Sequence, residues 1–210
     1  MLQLMRKYGR TYHLPNSPGS TSDDKIMSSL ERLKVSDLVI TEKMDGENTT
    51  IHSGGTHARS PDSKYHPSRD WLQAFAAGIS FQLAPNERIV GENLYAKHSI
   101  AYTELSSYFL GFALIIDNEI QSWSDTLSRF SDLGIDPVKT LYRGPFSDGL
   151  FEVVAQNLDQ ETQEGFVVRT ASAFLESQMP TNMGKYVRAG HVQSEIHWTK
   201  AEMVPNRLKS

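Results

Sequence analysis

The chain contains no cysteine, which excludes a disulfide framework and any metal held by thiolates. It has no apolar run approaching the length of a bilayer span, and its first residues lack the apolar core of a secretory leader. It shows no internal repeat and no low-complexity tail. An overall excess of positive charge is missing too: 21 Lys and Arg stand against 25 Asp and Glu, a net charge of −4. That rules out a protein basic all over, but not a local basic face for nucleic acid. Seven histidines are present, yet none are spaced as His-x-x-x-His, so no zinc site is expected. The simplest reading of these absences is a cytoplasmic protein with no membrane partner.

What is present fits one globular core. The length of 210 residues suits one substantial domain, and 39% hydrophobic with 22% charged residues is ordinary for such a domain. The polar stretch from Tyr8 to Gly19 reads as an ordered loop. Ser22 or Asp23 can cap a helix running to Leu33, with Ile26, Leu30 and Leu33 on its buried side. Strands are expected at Leu38–Lys43 and Asn48–His52, joined as partners by a turn at Gly46. Further strands are expected at Arg88–Tyr95, Tyr108–Asp117, Gly165–Thr170 and Lys185–Arg188. The run Phe109–Ile116 is apolar on both faces and suits a central strand. Helices are expected at Asp70–Ala77, with Trp71, Leu72 and Phe75 inward, and at Ser124–Leu133 and Ser147–Gln156. The mixture predicts an α+β domain.

Chemistry concentrates at strand ends. Lys43-Met-Asp45-Gly46-Glu47 closes the run from Asp37 and puts an amine beside two carboxylates at a tight turn. A lysine there is a nucleophile if burial and a nearby cation lower its pKa. By itself the pattern is also that of an ordinary Asp-Gly turn. Glu92 lies in a strand of Ile89, Val90 and Leu94, where a charge needs a partner; a ribose hydroxyl or a hydrated metal would serve. Glu164 immediately precedes the apolar strand Gly165–Thr170. Lys185 and Arg188 can clamp phosphates, but residues three apart on a strand face opposite sides. Arg59, Lys64, His66 and Arg69 form either a basic rim for RNA phosphates or a solvated loop. Arg10, His13, His191, His197 and Lys200 suggest contact with substrate, whereas Trp198 reads as a packing residue.

In order, these segments resemble the motifs of the covalent nucleotidyltransferases, the superfamily of RNA ligases, DNA ligases and mRNA capping enzymes. Lys43–Glu47 is similar to the nucleophile motif, Gly91-Glu92 to the third, Glu164–Val168 to the fourth, and Lys185 with Arg188 to the fifth. Ala58-Arg59-Ser60 resembles the short motif whose arginine meets the ribose or the RNA end. Phe112 resembles the aromatic residue that stacks on the purine. Tyr95–Ser99 and Tyr186–Val192 fit the RNA ligase branch better than the DNA ligases.

The resemblance implies an ATP-grasp-like ligase adenylation fold, with antiparallel sheets flanked by helices around a nucleotide cleft. It implies ATP and Mg2+ or Mn2+ as cofactors, and RNA with 5′-phosphate and 3′-hydroxyl ends as partner. Lys43 would take AMP onto its amine. Asp45, Glu92 and Glu164 would hold metal, mainly through water. Thr41 and Glu42 would lie along the purine, and Arg59, Lys185 and Arg188 would meet ribose or phosphate. Little chain follows Arg188, so a single nucleotidyltransferase domain over 1–210 is expected, unless a partner chain supplies an accessory domain. A DNA ligase, a GTP-using capping enzyme and a non-catalytic nucleic-acid-binding relative remain as alternatives.

Overall fold

A computed structural model describes residues 5–191 and 203–209. Two sheets carry the architecture. The first has five strands: β1 (Tyr12–His13), β2 (Asp37–Lys43), β8 (Thr140–Pro145), β9 (Gly165–Thr170) and β11 (Met183–Val187), in the order β1-β11-β9-β2-β8. The second has six: β3 (Glu47–His52), β4 (Gly55–Ala58), β5 (Glu87–Asn93), β6 (Phe109–Ile116), β7 (Glu119–Ile120) and β10 (Phe174–Leu175), in the order β10-β7-β6-β5-β3-β4. Pairing between the named strands is antiparallel except for β1 with β11. Helices α1 (Glu31–Lys34), α2 (Asp70–Ala77), α3 (Trp123–Leu133), α4 (Leu150–Gln156) and α5 (Met179–Asn182) complete the α+β domain.

Strand β2 shows why the two sheets stay together. Leu38, Val39, Ile40 and Thr41 are all buried, so this strand is covered on both faces. Leu38 and Ile40 point into one core with Leu33, Phe166 and Val168. Val39 points the other way, to Met44, Leu94, Leu110 and Trp123. Each fully buried aliphatic side chain stabilises the fold by roughly 1.5–3 kcal/mol relative to exposure. Helix α3 is fixed by its ends and one face. Ser122 Oγ accepts the Asp125 N–H, Gly134 closes it at φ 66°, and Trp123, Thr126, Phe130 and Leu133 are buried.

Strand β6 is indeed interior in its sheet, and β9 spans the expected residues. Several expectations fail for identifiable reasons. First, Gly46 does not turn a hairpin. Strand β2 already has β8 and β9 on its two edges, and β3 has β4 and β5, so neither can pair with the other. Met44–Gly46 instead carries the chain from one sheet to the other. Glycine is required there by closeness: a Cβ on Gly46 would lie 2.6 Å from the Asn93 carbonyl oxygen.

Second, no helix begins at Ser22 or Asp23. The Asp24 carboxylate accepts from the backbone and hydroxyl of Thr21, which stabilises a turn instead. Residues 25–27 then bond to β1 through His13 N–H to Lys25 O and Met27 N–H to His13 O, both 2.8 Å. Met27 and Leu33 are buried, whereas Ile26 is 49% exposed. Third, α4 starts at Leu150 rather than Ser147, after Gly149 at φ 76°. The strand expected at Lys185–Arg188 starts earlier, at Met183, and ends at Val187. Short β4 and the largely exposed β8 had no apolar alternation strong enough to announce them.

Candidate active site

The register of the strands brings distant residues together. Lys43 is opposite Gly165 in the β2–β9 pair, so Glu164 reaches the lysine from the neighbouring strand. Asn48 is opposite Glu92 in the β3–β5 pair, which turns Glu92 toward the crossover at Asp45. Lys185 is opposite Val167 and also beside His13. Gly165 permits this close packing, because a Cβ there would lie 1.9 Å from the Tyr186 carbonyl oxygen.

These strand ends surround a cavity of about 710 Å³. Thr41, Glu42, Lys43, Arg59, Glu92, Phe112, Glu164 and Lys185 all line it. Asp45 sits beside them rather than on the wall. Arg188 does not line the cavity: its guanidinium donates to the Gln163 and Ala189 carbonyls. Lys185 and Arg188 are therefore separated, Arg188 lying just past the end of β11.

At the centre, Lys43 Nζ donates to Glu164 Oε2 at 2.6 Å, with the lysine side chain 24% exposed and the glutamate 6%. Burial lowers the amine's pKa, but Glu164, Glu92 and Asp45 outweigh it and raise the value above that of an ordinary lysine. The expected lowering is thus absent in this state, because three carboxylates surround the amine. Glu92 accepts no hydrogen bond among the described residues. Burial, opposed by Lys43 and reinforced by Glu164 and Asp45, pushes its carboxyl up to about 8. Burial also holds Lys185 below the usual lysine value, with Lys43 adding to the effect, despite Asp24 at 4.0 Å.

The Asp45 carboxylate is divided in its duties. Its Oδ2 accepts from the backbone N–H groups of Ser99 and Ile100 at 2.7 and 2.8 Å. Its Oδ1 lies 3.8 Å from His191 Nε2, which is also 3.7 Å from Glu164 Oε1. Asp45, Glu164 and His191 place donor atoms within 4.8 Å of one another. Two carboxylates and an imidazole so arranged suit a divalent cation that keeps part of its water shell. The third carboxylate, Glu92, is half-buried on the cavity wall and accepts no hydrogen bond among the described residues, which also favours added positive charge.

Phe112 and Tyr8 present tilted rings with centroids 5.6 Å apart. Arg59 donates weakly to the Tyr8 carbonyl at 3.4 Å, and burial keeps its pKa below that of a free guanidinium. Of the basic residues grouped with it in the sequence, Arg69 and His66 are engaged with protein partners. Arg69 forms a two-pronged pair with Glu47 and donates to the Lys64 carbonyl, while His66 accepts from Ser68 N–H and caps a short turn. Glu42 accepts from Gln163 at 2.8 Å; burial nevertheless raises its carboxyl.

Several contributors were invisible to local patterns. Tyr8, Asp24 and His13 line the cavity from the N-terminal segment, and His191 joins Glu164 and the far more distant Asp45. The sequence suggested substrate contact for His13 and His191 but tied neither to the lysine or the carboxylates. The setting of His13 follows from β1 pairing with β11, which no short motif encodes. His197, Trp198 and Lys200 lie outside the described residues.

A two-sheet α+β fold with an acid-flanked lysine in the cleft defines a nucleotidyltransferase-type ligase architecture. The RNA ligase family model matches residues 36–187, more than half of the chain. The chain belongs to the RNA ligase family. An archaeal ATP-dependent RNA ligase superposes with TM-score 0.60 at 17% identity, covering 87% of this chain and 48% of that one. A putative ATP-dependent DNA ligase from Aquifex aeolicus gives 0.56 at 16%, covering 86% and 49%. A mutant Naegleria gruberi RNA ligase with ATP and Mn gives 0.58 at 14%, covering 87% and 56%. At these identities the likeness is one of fold. The chain spans about half the length of the solved structures it matches. No curated protein matches the sequence.

Proposed function

We propose that the chain carries out ATP-dependent RNA ligation through a covalent lysyl–AMP intermediate on Lys43. The observation that carries this reading is the position of the Lys43 amine. It lies inside the cavity, 2.6 Å from Glu164, with Glu92, Phe112 and Lys185 on the same walls. A salt-bridged lysine on the outer surface would have offered no route to a bound triphosphate.

Three transfers follow. The Lys43 nitrogen bonds to the α-phosphorus of ATP as the bond to the β-phosphate oxygen breaks and pyrophosphate leaves. A 5′-phosphate oxygen of RNA then bonds to the same phosphorus, breaking the P–N bond and restoring the amine. Finally a 3′-hydroxyl bonds to the activated RNA phosphorus, losing its proton, and AMP departs. Such transfers depend mainly on positioning and charge neutralisation.

The residues have distinct parts in this scheme. The amine must lose a proton before it attacks, and the pair with Glu164 both aims it and, in the resting state, keeps that proton on it. Asp45, Glu164 and His191 would hold Mg2+ or Mn2+, with Glu92 nearby. The metal supplies positive charge next to the amine and against the phosphate oxygens. Lys185 faces the α-phosphate, Phe112 and Tyr8 offer ring faces to the purine, and Thr41 and Glu42 flank it. Arg59 meets ribose or the RNA end.

The test is incubation with α-labelled ATP and Mg2+ or Mn2+, followed by ligation of RNA and DNA ends. The expected result is labelled protein, and sealing of RNA ends carrying 5′-phosphate and 3′-hydroxyl. Label taken from GTP but not ATP would replace the ligase reading by a capping-type one. No adduct with either nucleotide would replace it by a binding role.

A further inference from the structure

The carboxylate of Asp45 is oriented by a loop, and that loop is clamped by a segment far away in sequence. Residues 94–108 connect β5 to β6 and contain neither helix nor named strand. Ser99 and Ile100 N–H groups hold Asp45 Oδ2, and the Tyr102 hydroxyl accepts the Asp45 N–H at 2.9 Å. Two hydrogen bonds thus fix which carboxylate oxygen faces His191 and Glu164, and a third anchors the Asp45 backbone.

The shape of this loop depends on residues 203–209. Lys97 N–H donates to Val204 O, Asn206 N–H to Tyr95 O and Arg207 N–H to Tyr102 O, at 2.8, 2.8 and 2.9 Å. The Asn206 side chain is the central contact and is 4% exposed. Its Oδ1 accepts the Tyr102 N–H at 2.9 Å, while Nδ2 donates to the Leu94 carbonyl at 2.7 Å. Nδ2 also lies 3.4 Å from the Ala96 carbonyl. One buried amide therefore bridges the start of the loop to Tyr102. The Tyr108 hydroxyl adds a bond to the Asn206 carbonyl at 3.2 Å.

We propose that Asn206 is a positioning residue for Asp45, acting through Tyr102, and that residues 203–209 form a strap that sets the metal-facing carboxylate. Asn206 lies beyond the family-matched residues 36–187, so no motif of that region accounts for it. The inference rests on the assignment of Asp45 to a divalent cation under the proposed function. Buried partners that orient metal ligands typically change metal affinity about 10–100-fold when removed. Packing alone would change stability without changing affinity in the folded protein.

The experiment is a titration of the full chain with Mn2+, followed by electron paramagnetic resonance, alongside thermal unfolding. Asn206→Ala is expected to weaken Mn2+ binding about tenfold. Tyr102→Phe keeps the buried ring and removes only the acceptor for Asp45 N–H; it is expected to weaken binding severalfold while remaining folded. It decides the matter if Asn206→Ala does not fold. Unchanged Mn2+ affinity in the folded variants, or no Mn2+ binding by the wild-type chain, overturns the inference. Adduct formation is assayed separately. A wild-type protein that binds Mn2+ through this arrangement yet takes no AMP would overturn the ligase reading and leave the strap standing.

Discussion

Two ion pairs of the same 2.6 Å length sit in different surroundings: Lys43 with Glu164, and Arg88 with Glu176. In the second pair both side chains are nearly sealed, at 3% and 6% exposure, and Arg6 adds a second cation 3.7 Å from the same carboxylate. Charge there is matched and shut away. In the first pair the lysine opens onto a cavity, and Asp45 and the Glu92 carboxyl crowd the same amine. Contact length alone does not tell the two pairs apart. The difference lies in neighbours and access.

The sharpest way to break this contrast is Lys43→Ala. Complete loss of nucleotide adduct is expected, with the protein still folded but its thermal midpoint lowered, because Glu164, only 6% exposed, loses its partner. Labelled ATP and a melting curve check both halves; adduct surviving in this variant would remove Lys43 from the chemistry. Next in size is Arg88→Met. Leaving Glu176 buried without its main partner should cost about 3–5 kcal/mol in denaturant unfolding. Adenylylation per folded molecule should stay near wild type. A large loss of rate without loss of stability would make this pair part of the site.

A smaller effect separates the two C-terminal cations. Lys185→Ala should slow adduct formation about a hundredfold, as expected for one lost charge-stabilising contact, whereas Arg188→Ala should hardly change it. Single-turnover labelling at saturating ATP makes the comparison, and the reverse ranking would place Arg188 at the phosphate.

The smallest effect concerns His52 in β3. Its Nδ1 accepts Gly54 N–H at 3.1 Å and its Nε2 is buried without a partner. Burial, helped by His57 and Arg88, lowers its pKa from 6.5 to about 4. Between those values the unfolded chain binds a proton that the folded chain refuses. His52 should therefore cost stability as pH falls from about 6.5 to 4, by at most ~3 kcal/mol, with little further change below. His52→Gln should flatten that part of the stability curve; an unaltered slope would assign it to other groups.

Much of the site was legible because its charged residues interrupt or end apolar strands. Lys43 after Leu38–Ile40, Glu92 after Ile89 and Val90, and Glu164 before Phe166–Val168 are conspicuous for that reason. What the letters did not disclose was pairing. The Asp-Gly signal at 45–46 looks the same whether the next strand returns beside β2 or joins another sheet, and only the occupied edges of β2 decide. Nor was the ionisation of Lys43 readable, since it depends on carboxylates brought together by register. Asn206 had no signal at all; its importance comes from the backbone groups around it.

The parallel pairing of β1 with β11 has a practical consequence for anyone trimming the protein. A fragment cut to residues 36–187 would keep every motif lysine and carboxylate, yet it would strip His13 from beside Lys185 and remove Asp24. Lys185 would then border open water. Failure of such a fragment to react would therefore report the surgery rather than the native molecule.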